Sequence, residues 1–374
     1  MKIFPHKHID WGLFLGTIPL LVAGLVTMRE LGSENNYFFT RQLVWIAIAF
    51  ILFFSSSFVD WRFLKKGELL LVLFVFSMLI LGTLLVLGKV VRGATSWINL
   101  YFFSIEPADP IKILLVAILA KYFSRRHVAI AHFKHIFVSA LYALVPFILV
   151  FLQPDFGSAI IIFLIWLGMI IVSGVSKRHL ALLALSAVFI FSMAWLFALK
   201  PYQKGRITSF LNPIHDIRGA GYNAFQSTIA IGSGEIFGKG IGYGSQSRLQ
   251  FLPEHQTDFI FAAFAEEWGF VGVLLVFIFF AVIVWRILKN ALFAPQNFES
   301  FFGLGIALFI ISHFSVNVGM NIGLLPITGI NLPFLSYGGT HLVTLYLALG
   351  MFMGMHRYGS QALREDPTVE LLGQ

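Results

Sequence analysis

LLLVLFVFSMLILGTLLVLG, residues 69–88, runs for twenty positions without one ionisable side chain. A helix needs about 20 apolar residues to cross the hydrocarbon core of a bilayer, and this stretch has that length and that oiliness. Working outward, windows of the same kind lie near 11–28 and 43–59 before it and near 106–123 and 136–152 after it. Five more lie near 157–175, 180–199, 269–288, 300–321 and 340–356. The pattern predicts an all-α polytopic membrane protein of about ten transmembrane helices, forming one domain over residues 1–374.

Composition agrees. Of 374 residues, 58% are hydrophobic and 12% charged, and mean hydropathy is +0.85, outside the range of a soluble globular chain. The net charge of +8 raises the question of nucleic acid, but no basic tract interleaved with aromatics occurs, so a nucleic-acid partner is not expected. The absence of cysteine excludes disulfides, thiolate metal sites and a thiol nucleophile. No small-residue cleavage site follows the first apolar run, so it reads as a retained helix.

The short loops give an orientation. Arg62, Lys65 and Lys66, Arg125, Arg126 and Lys134, Lys177 and Arg178, Arg286 and Lys289, and Arg357 and Arg364 all fall on one side, which should be cytoplasmic. Both termini, including a tail at 359–374, then face the cytoplasm, and the one large loop, roughly 200–268, faces outward. In that loop Lys200, Lys204, Arg206, Arg218, Lys239 and Arg248 stand against Asp216, Glu235, Glu254, Asp258, Glu266 and Glu267. A long connection with both signs and many glycines is expected to be structured and functional.

Several ionisable groups sit beside or inside oil, where charge is expensive and faces a bundle interior or a watery cavity. In SIEPADPIKILL (104–115), Asp109 and Lys112 are three apart and share a helix face. They either fix helix packing as a salt bridge or line a cavity open to the outer leaflet. In FLQPDFGSA (151–159), Gln153 and Asp155 lie at an outward turn, and Asp155 suits the cap of the next helix. LLPITGINLPF (324–334) and SYGG (336–339) carry enough Pro and Gly for a bent outer segment that includes Ser336. His313 and His341 lie in apolar helices and are expected to be packed and hydrogen-bonded, since no His-rich spacing supports zinc.

Asp258 is followed by Phe259, Ile260, Phe261 and Ala262, so its carboxylate should sit where water thins out. Burial would raise its pKa from about 3.9 and make it a better general base. Glycines at 232, 234, 238, 240, 242 and 244, with Lys204, Arg206, Lys239 and Arg248, could form a cationic cradle suited to a pyrophosphate. The glycine spacing matches neither a P-loop nor a dinucleotide fingerprint. Glu266 and Glu267 are expected at a helix start, where negative charge is favoured.

QPDFGSA (153–159), YQKGRITSFLNP (202–213), the run from 221 to 272 around EHQTDF, and GLLPITGINLPFLSYGG (323–339) together resemble the SEDS family of shape, elongation, division and sporulation proteins. The likeness extends over nearly the whole chain. The QKGRI form of the loop looks closer to the elongation member of that family than to its division relative. The resemblance implies a peptidoglycan glycosyltransferase that polymerises lipid II on the outer face of the bacterial cytoplasmic membrane, together with a class B penicillin-binding protein acting as transpeptidase. It places the family's essential aspartate at Asp258.

The expected reaction is an inverting displacement with Asp258 as the catalytic base and undecaprenyl pyrophosphate leaving. Arg206, Lys204, Lys239, Arg248, Glu254, Lys112 and Asp109 are expected to face substrate, with Asp155, Gln153, Glu266, Glu267 and Ser336 in support. Membrane lipids would fill grooves between helices. No cofactor is required by any motif, and a divalent ion bridging carboxylates and pyrophosphate has no ligand spacing to demonstrate it. The family commonly has Gln-Pro-Ser-Glu before the lysine of helix four, where this chain has Glu106-Pro107-Ala108-Asp109; it usually has serines after SYGG, where this chain has Thr340-His341. The competing classes are a lipid II flippase and a non-catalytic scaffold for a cell-wall synthase.

Overall fold

The computed structural model describes residues 9–30, 37–66, 68–88, 96–100, 103–125, 133–197, 204–205, 208–210 and 220–364. Ten helices of 17 residues or more occur among them, each overlapping one of the expected windows. They are α1 (Trp11–Glu30), α2 (Tyr37–Ser57), α3 (Leu69–Leu87), α4 (Ala108–Ser124), α5 (Phe133–Leu152), α6 (Phe156–Val172), α7 (Lys177–Phe197), α10 (Ile260–Leu292), α11 (Asn297–Asn321) and α12 (Gly339–Arg364). Two shorter helices, α8 (Ala220–Ser233) and α9 (Ser245–Arg248), lie in the large loop. A 3-10 turn at Trp61–Lys65 is capped by Asp60, whose carboxylate accepts from the Arg62 N–H.

Six of the long helices, α1, α2, α3, α5, α10 and α11, are long and apolar enough by composition to cross a membrane. The chain is a multi-pass membrane protein. α4 is not among the six: nearly every residue from Ala108 to Ala120 is buried, so the helix has little lipid-facing surface and carries Asp109 and Lys112 inside the protein. The contrast is α3, whose Val72, Phe76, Leu79, Val86 and Leu87 are exposed along a face suited to lipid.

α2 runs along α12, α10 along both α1 and α11, and α11 also packs on α4 and α6. Small residues let backbones approach, as in membrane bundles generally. A Cβ on Gly350 would meet the Phe53 carbonyl and one on Gly354 the Val59 carbonyl, so α12 lies hard against α2. Inside this contact, Tyr346 is buried among Phe14, Phe50 and Phe53, and its hydroxyl is 2.6 Å from the Thr17 hydroxyl.

Two findings depart from the sequence reading. A two-stranded antiparallel ladder, β1 (Ile98–Leu100) with β2 (Phe103–Ile105), interrupts the otherwise helical described residues just before α4. More consequentially, α10 begins at Ile260, nine residues before its expected start, and breaks at Gly269, where φ is 66° and ψ −168°. The apolar window begins at the break because Glu266 and Glu267 interrupt the apolar run before it. The last part of the 200–268 stretch, from Ile260, is therefore a half-helix.

Candidate active site

Asp258 stands one residue before the N-cap of α10, half-buried, in the turn PEHQTDF. That turn is closed locally: the N–H groups of Thr257 and Phe259 both donate to the Glu254 carbonyl, and the Thr257 hydroxyl donates to the Glu254 carboxylate at 2.9 Å. Glu254, expected to face substrate, is exposed and bound to its own turn, at a φ of 49°.

The turn is then clamped from two directions. The Ser336 hydroxyl donates to the Thr257 carbonyl at 2.7 Å while accepting from the Leu332 N–H at 2.8 Å, and the Tyr337 N–H donates to the Gln256 carbonyl at 2.9 Å. From α11, the side-chain amides of Asn317 and Asn321 both donate to the Asp258 carbonyl, at 3.0 and 3.1 Å. Asn317 also donates to the Ile330 carbonyl at 2.6 Å. The Ser227 hydroxyl of α8 donates to the Asn321 carbonyl at 2.8 Å. Both asparagines are fully buried, where an unpaired amide would be costly, so the bonds hold the Asp258 main chain in one place. Gly329, at a φ of 72°, lies beside the carboxylate: a Cβ there would be 3.4 Å from Asp258 Oδ2.

Asn317 and Asn321 were not anticipated from the sequence. A signal existed: His313, Asn317 and Asn321 recur every four residues and so share one face of an apolar helix.

The break at Gly269 forms a second unit, in which every freed backbone group named here finds a partner in the glycine-rich loop. The N–H groups of Phe270 and Val271 donate to the carbonyls of Glu235 and Ile236, and the N–H groups of Lys239 and Gly240 donate to the carbonyls of Glu266 and Glu267. Gly238 has a φ of 80°, and a Cβ on it would collide with the Glu267 carbonyl, so this approach needs glycine.

Glu266 and Glu267 are buried and sit in the second turn of α10 rather than at its start. Their carboxylates reach back into the loop instead. Glu266 accepts from Lys239 Nζ at 2.8 Å and from the N–H groups of Gln246 and Ser247 at 3.0 and 3.3 Å, at the start of the short helix α9. Glu267 accepts from the Gly242 N–H at 2.9 Å. Lys239, expected among the substrate cations, is thus paired with a carboxylate whose side chain is fully buried. The physical reason is that Glu266 needs a countercharge where water does not reach.

The third unit lies at the start of α4. Lys112 Nζ donates to Asp109 Oδ1 at 2.9 Å and to the Ser158 hydroxyl at 3.1 Å, with both charged side chains almost wholly buried. The Ser158 hydroxyl donates in turn to Glu106 Oε1 at 3.0 Å, and its N–H to Asp155 Oδ1 at 3.0 Å, the expected cap of α6. Gln153 is buried and donates to the Leu81 carbonyl at 2.8 Å, tying the turn to α3. His341 Nδ1 lies 3.5 Å from Asp109 Oδ1, and His313 Nδ1 is 3.3 Å from the Asn331 carbonyl. This unit adjoins the Asp258 clamp, because consecutive carbonyls at 330 and 331 take hydrogen bonds from Asn317 and His313.

Of the other expected cations, Lys204 Nζ sits 5.8 Å from the Trp195 ring centre and Arg248 is exposed at the end of α9. Arg206 lies outside the described residues.

The fold and site thus define a polytopic helical membrane protein with a braced glycine-rich loop and a clamped aspartate at the mouth of a broken helix. The chain matches the model of the cell cycle protein family FTSW_RODA_SPOVE over residues 8–361 and belongs to that family. It is 37% identical to stage V sporulation protein E of Bacillus subtilis (strain 168), over 93% of this chain and 97% of that protein. It is 38% identical to a probable peptidoglycan glycosyltransferase FtsW of Thioalkalivibrio sp., over 94% and 90%, and 31% identical to peptidoglycan glycosyltransferase MrdB of Escherichia coli (strain K12), over 96% of both. Among solved structures, one described as the structural coordination of polymerization and crosslinking by a peptidoglycan synthase complex superposes with a TM-score of 0.79 at 30% identity, covering 94% of this chain and 98% of that one. Thermus thermophilus rod shape determining protein RodA superposes with a TM-score of 0.70 at 28% identity, covering 94% and 97%.

Proposed function

We propose that the protein is a peptidoglycan glycosyltransferase that polymerises lipid II, with Asp258 as general base. The observation that carries this reading is the clamp: the Asp258 carbonyl is held by two buried amides while the carboxylate stays half-buried beside Gly329. A base fixed through its main chain needs little reorganisation as a proton moves to it. Asp258 takes the proton from the 4-hydroxyl of the acceptor N-acetylglucosamine; that oxygen attacks the anomeric carbon of the donor N-acetylmuramic acid, and undecaprenyl pyrophosphate departs with inversion.

Arg206, Lys204 and Arg248 stabilise charge growing on the pyrophosphate. Lys239 braces the loop through Glu266, on the evidence of its 2.8 Å bond. Asp109 and Lys112 lie beneath the sugar site, a placement supported by the shared segment at 330–331. The loop faces outward and both termini the cytoplasm, in keeping with the basic short loops. The partner is a class B penicillin-binding protein, consistent with the synthase complex among the similar structures. The elongation role rests on the QKGRI sequence.

Labelled lipid II supplied to the purified protein in detergent, with its partner, tests the activity. Glycan strands are expected. A flippase has no membrane to act across in that assay and a scaffold makes no bond, so either would leave lipid II unchanged, which would overturn this reading.

A further inference from the structure

Asp109 on α4, His313 on α11 and His341 on α12 meet inside the protein although they are far apart in sequence. One donor atom from each lies within 4.8 Å of the others, and all three residues are buried. The imidazole rings face each other with centroids 4.4 Å apart and an interplanar angle of 32°. A carbonyl only accepts, so at 3.3 Å the Asn331 carbonyl makes His313 Nδ1 the protonated nitrogen and leaves the Nε2 lone pair directed elsewhere. His313 Nε2 and His341 Nε2 are without a hydrogen-bond partner among the described residues, while His341 Nδ1 faces Asp109 Oδ1 at 3.5 Å. Buried polar atoms ordinarily find partners, and two orphans in one place call for a ligand. Backbone fixation of one imidazole nitrogen is also the usual way a metal-binding histidine is oriented.

The surroundings are rich in carboxyl groups: around Ser158, Glu106, Asp109 and Asp155 gather near the single ammonium of Lys112. Lys112 occupies Asp109 Oδ1 and leaves the second carboxylate oxygen for another cation. Two imidazoles and one carboxylate suit a first-row transition ion, whereas Mg2+ and Ca2+ favour oxygen donors. We propose that Asp109, His313 and His341 form a binding site for a divalent transition ion of the Zn2+ type. The ion ties α4, α11 and α12 together one helical turn below Asn317, and hence below the Asp258 clamp. The site is independent of the glycosyltransferase reading, since a flippase or a scaffold could carry it equally well.

The test is metal binding by the full chain in detergent, purified through a tag without histidines and carrying His6→Gln and His8→Gln to remove the N-terminal imidazoles. Co2+ is the probe, read by its visible absorption, with Zn2+ and Mg2+ as competitors. The expected result is saturation at one Co2+ per chain, displacement by Zn2+ and not by Mg2+, and a thermal unfolding midpoint that rises with Zn2+. His341→Ser and His313→Gln should each weaken binding at least about tenfold, on the scale of losses seen when metal sites are altered. Failure of the His6→Gln/His8→Gln chain to bind Co2+ or Zn2+ would overturn the proposal whether or not the other variants fold. So would unchanged affinity in both His341→Ser and His313→Gln.

Discussion

At the residue scale, the position of Asp258 is set by neighbours that act on its main chain. Asn317→Ala and Asn321→Ala each remove a buried donor to the same carbonyl. Leaving such groups unsatisfied costs about 1–3 kcal/mol, and if that loss falls on the positioning of the base it slows the reaction by roughly 5- to 150-fold. The expected outcome in a lipid II polymerisation assay is a lower kcat for each variant, with KM changed much less and the double variant less than multiplicative, because the two amides share one acceptor. Gly329→Ala should lower activity further through backbone strain at a φ of 72° and a Cβ against the carboxylate. Asp258 was legible in the sequence because an acid sat directly before Phe259-Ile260-Phe261. Its holders were not, because an asparagine in an apolar helix looks alike whether it binds a carbonyl of its own helix or one 59 or 63 residues away.

At the scale of the element, the broken helix α10 and the loop that repairs it form one device. Gly269 turns the chain, and the backbone of residues 235–240 satisfies the groups set free. Lys239→Met removes one charge-assisted bond from buried Glu266, whose serine and main-chain donors remain. The expected loss is about 1.5–3 kcal/mol in thermal or denaturant unfolding. Glu266→Gln combined with Lys239→Met should lose less than the two single effects added, since the uncompensated charge is then gone. Strict additivity would show that the pair is not coupled. Gly238→Ala should destabilise the loop more than a surface substitution would, since its Cβ has no room beside Glu267. The sequence showed the glycines and both carboxylates but not their connection. Periodicity reads helices from oil, and a half-helix carrying two acids reads as loop until its partners are seen.

At the scale of the whole molecule, each of the ten apolar windows has a helix on it, and six of those helices are long and apolar enough to cross a membrane, as lipid demands of a spanning segment. α4 was legible as a window but not as an interior helix. Only the fold reveals that its Asp109 and Lys112 meet Ser158, Glu106 and His341 in one buried cluster. The absence of cysteine makes the orientation directly measurable, since a single introduced thiol is the only one in the chain. Tyr243 is 71% exposed in the loop, and Lys66 is exposed just after the Trp61–Lys65 turn. Tyr243→Cys should react with a membrane-impermeant maleimide in intact spheroplasts, and Lys66→Cys only after the membrane is opened. The reverse pattern would place the site on the cytoplasmic side and exclude polymerisation on the outer face.

The most direct measurement is the rate of glycan synthesis from lipid II by Asp258→Asn beside the unaltered protein, each folded, purified with the partner and matched in thermal unfolding. Loss of a positioned general base costs about 10²- to 10⁴-fold, and a fall of that size is the expected result. Near-normal polymerisation by Asp258→Asn would contradict the assignment of the base, and with it the meaning given to the clamp that holds it.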